Sequence, residues 1–307
     1  MKPFLDWLKE HYKHILLIAI PLLAAASVVS IALSGDLELF TVGGGNNAVY
    51  KYSNDDDFVA VLDVGEAQSV LLHSNSRTAL IDTGADAENV LRELGAFGAD
   101  RIDYVFISHY HSDHAGGLES VISDFDIGCI VLPKGEPADN SAADIEKAVL
   151  SLAKSADIPV RFTGNYGNFK VGNFSLNIFQ PLADSDNEND RSMVISVESL
   201  GASVLIMFDS GAATEQRLLI DNYDIKSDVV LAGHHGSDDA THDSFLKYVS
   251  PKTVIVSCAA ASSYNHPGEK FKSRVENFGA ELFVTAESGT IRVDFSNGKT
   301  NIIKQKN

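Results

Sequence analysis

The segment Ser108-His-Tyr-His-Ser-Asp-His-Ala-Gly-Gly117 packs three imidazoles and a carboxylate into six residues, directly after the apolar run Tyr104-Val-Phe-Ile107. A strand that ends in such a loop holds its backbone rigid while several side chains turn toward one point, which is what a metal site needs from its scaffold. The pattern H-x-H-x-D-H reads as half of a two-metal hydrolytic centre. His109 and His111 can face one ion, and Asp113 and His114 can turn toward a second. The preceding strand and the following Gly116-Gly117 supply the context that such a motif requires.

A second segment, Asp228-Val-Val-Leu-Ala-Gly-His-His-Gly-Ser237, repeats this architecture: an apolar strand, paired histidines, then a glycine. Between the two motifs, Asp209 ends the apolar run Val204-Leu-Ile-Met-Phe208. A carboxylate at the end of a buried strand is costly without donors, a cap role or a metal. The two strand ends and Asp209 together are much stronger evidence for a site than any one of them.

The arrangement of elements around these motifs sets the expected fold. Short β-type runs at 58–63, 69–72 and 78–81 precede a helical spacing over 86–94. After the histidine loop come a helix at 118–125, a strand at 129–132, a helix at 142–156 and a strand at 160–162. A hairpin over 169–179 and a strand pair over 193–208 follow. Helices near 215–220, 243–248 and 269–278 then alternate with strands at 228–231 and 254–257, and closing strands run from 282 to 295. Two strand-rich halves, each followed by helices, predict an α/β fold in which two central sheets are covered on both sides, an αββα sandwich. With 307 residues and 45% apolar composition, the chain is long enough to bury its core.

The N-terminus has a different character. Residues 15–34 form a stretch of 20 without a charge, long enough to cross a hydrocarbon layer of roughly 30 Å. Lys2, Lys9 and Lys13 precede it, and Asp36 and Glu38 follow, which places the N-terminus in the cytoplasm and the remainder outside. The expected organisation is a cytoplasmic end and transmembrane helix over 1–35, a linker over 36–57 and a hydrolase domain over 58–307. A cleaved signal peptide, with secretion, is the alternative, although the apolar stretch exceeds an ordinary signal core of about 7–15 residues. Only Cys129 and Cys258 are present, which excludes a disulfide-rich scaffold and a thiolate zinc cage; buried thiols are expected, with a disulfide between the two as the alternative. A net charge of -18 disfavours tight binding of duplex DNA.

The ordered motifs Leu62-Asp-Val-Gly65, Leu80-Ile-Asp-Thr-Gly84, H-x-H-x-D-H, Asn187-Glu-Asn-Asp-Arg-Ser192, Asp209, His234-His-Gly-Ser237 and Tyr264-Asn-His-Pro267 resemble those of the metallo-β-lactamase superfamily, in particular its ComEC-like hydrolase domain. The resemblance implies two divalent ions, zinc first and manganese as the alternative. His109 and His111 would bind one, Asp113, His114 and His235 the other, and Asp209 would bridge them. Asp82 would orient a ligand histidine. Asp113, His234 and His266 are the candidates for catalysis itself, with His234 contacting substrate and His266 reaching a scissile phosphate. Asn189 and Ser192 stand where many members place another histidine. Glu66-Ala67-Gln68 and Met207-Phe208 depart from the ComEC-like pattern, which bears on substrate preference rather than on the ligands.

These readings converge on a membrane-anchored, extracytoplasmic dinuclear metallohydrolase of phosphoester bonds, in single-stranded DNA or in a cell-envelope phosphodiester. A lactam or lactone hydrolase and a non-catalytic binding module on the same fold are the alternatives. His73 and His242 receive no functional assignment, and the oligomeric state stays open.

Overall fold

The structure is a computed structural model that describes residues 52–306, all within the unit Asn47–Asn307. The expected transmembrane segment lies outside the described residues. Among the described residues, no helix is long and apolar enough to cross a membrane.

Three antiparallel strands open the domain: β1 (Phe58–Val61), β2 (Val70–Ser74) and β3 (Arg77–Ile81). Helix α1 (Ala87–Ala96) follows, capped by the Asp86 side chain, which accepts a hydrogen bond from the Asn89 amide. A cap of this kind contributes about 1 kcal/mol. Next come β4 (Arg101–Ile102), β5 (Tyr104–Phe106), the short helices α2 (Ser112–Ala115) and α3 (Leu118–Asp124), β6 (Asp126–Ile127) and β7 (Ile130–Leu132). Helix α4 (Asn140–Ser155) leads to β8 (Val160–Phe162), and β3, β5, β7 and β8 run parallel. Intervening helices are what a parallel sheet needs to bring the chain back to the same edge.

The second sheet is built the same way. Antiparallel β9 (Tyr166–Val171), β10 (Phe174–Phe179), β11 (Val194–Ser199) and β12 (Ala202–Ile206) are extended by β13 (Val229–Leu231), β14 (Thr253–Val256) and β15 (Glu281–Val284), all parallel to β12. The crossovers are α5 (Ala212–Ile220), α6 (Asp243–Val249) and α7 (Glu269–Phe278); the one-turn α8 (Thr285–Ser288) precedes β16 (Ile291–Ser296) and β17 (Lys299–Lys304). The strand orders are β17-β16-β1-β2-β3-β5-β7-β8 and β15-β14-β13-β12-β11-β10-β9.

Val59, Leu72, Ile81 and Phe106 of the first sheet meet Leu176, Ile195, Val204 and Ile206 of the second in a dry central layer. Val90, Leu94, Leu118 and Val149 cover the outer face of the first sheet, and Leu218, Phe245 and Phe271 cover that of the second. The αββα sandwich expected from the sequence is thus present. The continuous apolar runs of β7 and β13 follow from being covered on both faces, where no polar side chain could be hydrated.

The closing strands expected over 282–295 are present as β15 and β16, divided between the sheets: β15 ends the second sheet, whereas β16 returns to pair with β1 of the first. The final strand β17 has no counterpart in the sequence reading, because its half-exposed edge position carries little hydrophobic pattern. The end of the expected linker also packs with the domain. Tyr52 lies against Phe58 and His73, and Asp57 accepts hydrogen bonds from Ser74 and Asn173, tying turns of both sheets together.

The glycines after the histidine loop are required by close approach. A Cβ on Gly117 would stand 2.2 Å from the Thr83 carbonyl oxygen, a backbone atom that cannot rotate away. Gly117→Ala is expected to destabilise the domain by about 1–3 kcal/mol, as overpacked sites do. Urea unfolding measures this, and an unchanged midpoint would show that the Thr83–Gly117 packing is looser than described.

Candidate metal centre

Parallel strands deliver the distinctive side chains to one edge of the sandwich. Asp82 follows β3, residues 108–114 follow β5, Asp209 follows β12, His234 and His235 follow β13, and Ser257 and His266 follow β14. Crevices at the carboxyl ends of parallel strands are where α/β sheets place their ligands. Asp82, Phe208, His234 and His235 all adopt left-handed backbone, with φ of 59°, 48°, 47° and 53°. Such strain in residues other than glycine persists only where the surroundings enforce it, and it gathers at functional sites.

The buried supports fix the histidine tautomers. Asp82 Oδ1 accepts from the Ser108 amide and Oδ2 from the Ser108 hydroxyl, each at 2.7 Å, and His114 Nδ1 lies 2.6 Å from the same Oδ2. His109 Nδ1 lies 3.0 Å from the Ser108 hydroxyl, and His235 Nδ1 donates to the Ser257 carbonyl oxygen at 2.9 Å. With Nδ1 engaged on each ring, the Nε2 lone pairs of His109, His114 and His235 are left for the site.

Those lone pairs converge on Asp209, and its two oxygens are divided between them. Oδ1 is 3.1 Å from His114 Nε2 and 3.3 Å from His235 Nε2; Oδ2 faces His109 Nε2 at 3.9 Å. Asp113 Oδ2 closes the first set at 3.6 Å from His235 Nε2. His111 Nδ1 joins the second, 3.0 Å from His109 Nε2. Two donor groups result, Asp113–His114–Asp209–His235 and His109–His111–Asp209, and both are tight enough to hold an ion.

A divalent cation fits the chemistry of these groups. His114 Nε2, His235 Nε2 and Asp209 Oδ1 are buried with no hydrogen-bond partner, an expensive state that a metal relieves. The electrostatics agree. Burial lowers the His109 imidazole well below its ordinary range, aided by the neighbouring His114. Burial also opposes protonation of His114, but the Asp209 and Asp82 carboxylates outweigh it and raise that ring well above its ordinary value. Burial works to raise the Asp113 carboxyl, yet the neighbouring His235 and His114 rings hold it at about 2.

A cleft of about 300 Å³ opens onto both groups, with Glu66, Asn189, Tyr264 and His266 on its wall. His234 stands beside the donors, its side chain 37% exposed and its Nε2 4.0 Å from Asp209 Oδ2. The His266 ring packs 5.7 Å from that of His234. His73 and His242 lie elsewhere, one packed on Tyr52 and Phe58, the other paired with Glu215. Cys129 and Cys258 are free and buried. Sequence reasoning missed Ser108, the Ser257 carbonyl and Glu188, which support ring nitrogens or loop amides. Ser108 left a local signal by standing directly before the first histidine, and Glu188 by lying within the motif Asn187-Glu-Asn-Asp-Arg-Ser192; Ser257 left none.

Residues 62–260 match the metallo-beta-lactamase superfamily, about two thirds of the chain. The chain belongs to this superfamily. ComE operon protein 3 of Bacillus subtilis (strain 168) is 26% identical over 274 residues, covering 81% of this chain and 34% of that protein. Competence protein ComA of Neisseria gonorrhoeae is 29% identical over 245 residues, covering 78% and 32%. The chain thus spans about a third of the length of these curated relatives, and the ComEC-like resemblance holds for that third. The metallo-beta-lactamase fold protein YhfI from Bacillus subtilis shares the fold, with a TM-score of 0.54 at 14% identity, covering 78% of this chain and 100% of that one. As a member of this superfamily, the chain has its His/Asp cluster where the αββα scaffold opens.

Proposed function

We propose that this chain is a membrane-anchored, extracytoplasmic hydrolase of phosphoester bonds that uses two divalent ions, zinc or manganese. The observation that carries the dinuclear reading is the divided Asp209 carboxylate, one oxygen toward each donor group. His109, His111 and Asp209 would hold one ion, and Asp113, His114, His235 and Asp209 the other. When bound, the ions supply Lewis acidity to the scissile group and make water a competent nucleophile at neutral pH.

The chain's own residues do the remaining work. Ser108, Asp82 and the Ser257 carbonyl keep the ligand rings in one tautomer. His234, outside both donor groups and open to the cleft, contacts the phosphoryl oxygens and can pass a proton to the leaving group. His266, on the same wall, is the second imidazole available to the phosphate. The ComEC-like resemblance favours single-stranded DNA as substrate, and the net charge of -18 favours a smaller cell-envelope phosphodiester. The anchored, external placement rests on the apolar residues 15–34 and the lysines before them.

Metal content of the purified chain, followed by turnover of a chromogenic phosphodiester, a short single-stranded DNA and nitrocefin, tests the reading. Two ions and phosphodiester turnover are expected. Nitrocefin turnover alone would move the assignment to lactam hydrolysis, and a chain that takes up no metal would be a binding module.

A further inference from the structure

Between β10 and β11 the chain passes back over both histidine loops and touches each. Glu188 is only 3% exposed. Its Oε1 accepts a hydrogen bond from the Tyr110 amide at 2.9 Å, and its Oε2 accepts one from the Ala138 amide at 2.8 Å. That Tyr110 amide belongs to the peptide leaving His109, one residue before His111. Asn189, the next residue, places Nδ2 3.3 Å from His234 Nε2. Four residues on, the Met193 amide donates to the Ser108 carbonyl oxygen at 3.0 Å.

A buried carboxylate is costly unless its oxygens are satisfied, and hydrogen bonds from backbone amides to an ionised acceptor are among the strong ones. Both Glu188 oxygens are taken by loop amides rather than by a side-chain cation. The Tyr110 ring is anchored in the core, and Glu188 adds the hydrogen bond that fixes the plane of the peptide joining His109 to Tyr110; rotation there would swing one imidazole away from the other. We infer that Glu188 is a positioning residue that fixes the His109–His111 pair as donors to one ion, with Asn189 setting the distance from this loop to His234. The inference rests on the metal reading given above.

The test titrates zinc into the full chain and follows the imidazole nitrogen signals of individual histidines. In Glu188→Gln an amide NH2 must face a backbone N–H. Zinc sensed by His109 and His111 is then expected to bind about 10- to 100-fold more weakly, as when a partner that orients a ligand is lost. Zinc sensed by His114 and His235 should keep its affinity. Glu93→Gln is the control: Glu93 is 2% exposed on α1 and accepts from the Thr290 hydroxyl, away from both histidine loops. It should lower the melting temperature and leave zinc binding unchanged. Equal weakening at both halves of the cluster, or identical zinc binding by Glu188→Gln and Glu93→Gln, overturns the inference.

If Glu188→Gln does not fold, amide exchange in the metal-free wild-type chain decides. The Tyr110 N–H must exchange slowly, and fast exchange would show that the carboxylate does not hold it. A wild-type chain in which zinc moves none of the imidazole signals refutes the metal reading instead, and the Tyr110 exchange still decides whether Glu188 holds the loop.

Discussion

Asp209→Asn is expected to abolish turnover and to lower the metal content of a chain that still folds. Among the proposed ligands only Asp113 and Asp209 carry negative charge, so the substitution removes half of the anionic charge that two dications would meet. It also places an amide NH2 on one side of a carboxylate whose oxygens face His114, His235 and His109. One donor group must then lose its oxygen. The loss in activity should exceed the roughly 10- to 100-fold that removal of a merely supporting partner costs. His111→Ala should give a similar loss by emptying one group, and the double variant should be no worse than either single one, because residues that act as a unit fail together. Turnover and bound metal are measured on the same samples, with circular dichroism confirming the fold. Wild-type turnover by either single variant would defeat the two-ion reading.

The second large effect separates His235 from His234. His235 is 5% exposed, held by the Ser257 carbonyl, with its Nε2 directed between Asp113 and Asp209. His235→Ala should release one equivalent of metal and leave the Ser257 carbonyl and the two carboxylates without that ring. His234 belongs to neither donor group and faces the cleft. His234→Ala should keep both equivalents and slow turnover by about 100- to 10,000-fold, the usual range for a lost proton donor. Metal lost from the His234 variant and retained in the His235 variant would exchange their roles.

The distinction between these neighbours shows where the sequence stops being sufficient. Adjacent in the chain, they differ only in which ring the left-handed turn after β13 sends inward, and that turn depends on bonds to other parts of the fold. The His234 amide donates to the Phe208 carbonyl oxygen at 2.6 Å, and Gly233 passes so close to Ser210 that a Cβ would stand 2.2 Å from its carbonyl oxygen. The first motif was more legible. His109, His111, Asp113 and His114 lie on one short loop, so their spacing alone brings them near one point.

Hydrophobic pattern likewise made most elements readable, because β5, β7, β13 and α4 are bounded by turn residues and buried in a periodic way. It failed at β17, and it did not tell which sheet takes β15 and which takes β16. An edge strand needs little apolar pattern, and the alternation that marks a strand carries no information about which sheet will accept it.

What the sequence determined by itself is therefore local: the strands, the crossover helices, and two loops rich in metal donors at strand ends. What the tertiary structure decided is everything that joins distant segments. Ser108 is 26 residues from Asp82 and about a hundred from Asp209, yet the parallel pairing of β3 with β5 places the Asp82 carboxylate on its amide, and the packing of the two sheets brings Asp209 to the same cluster. A hydrogen bond or a shared ligand oxygen acts over about 3 Å, and only strand order and sheet packing fix positions to that precision across so many residues.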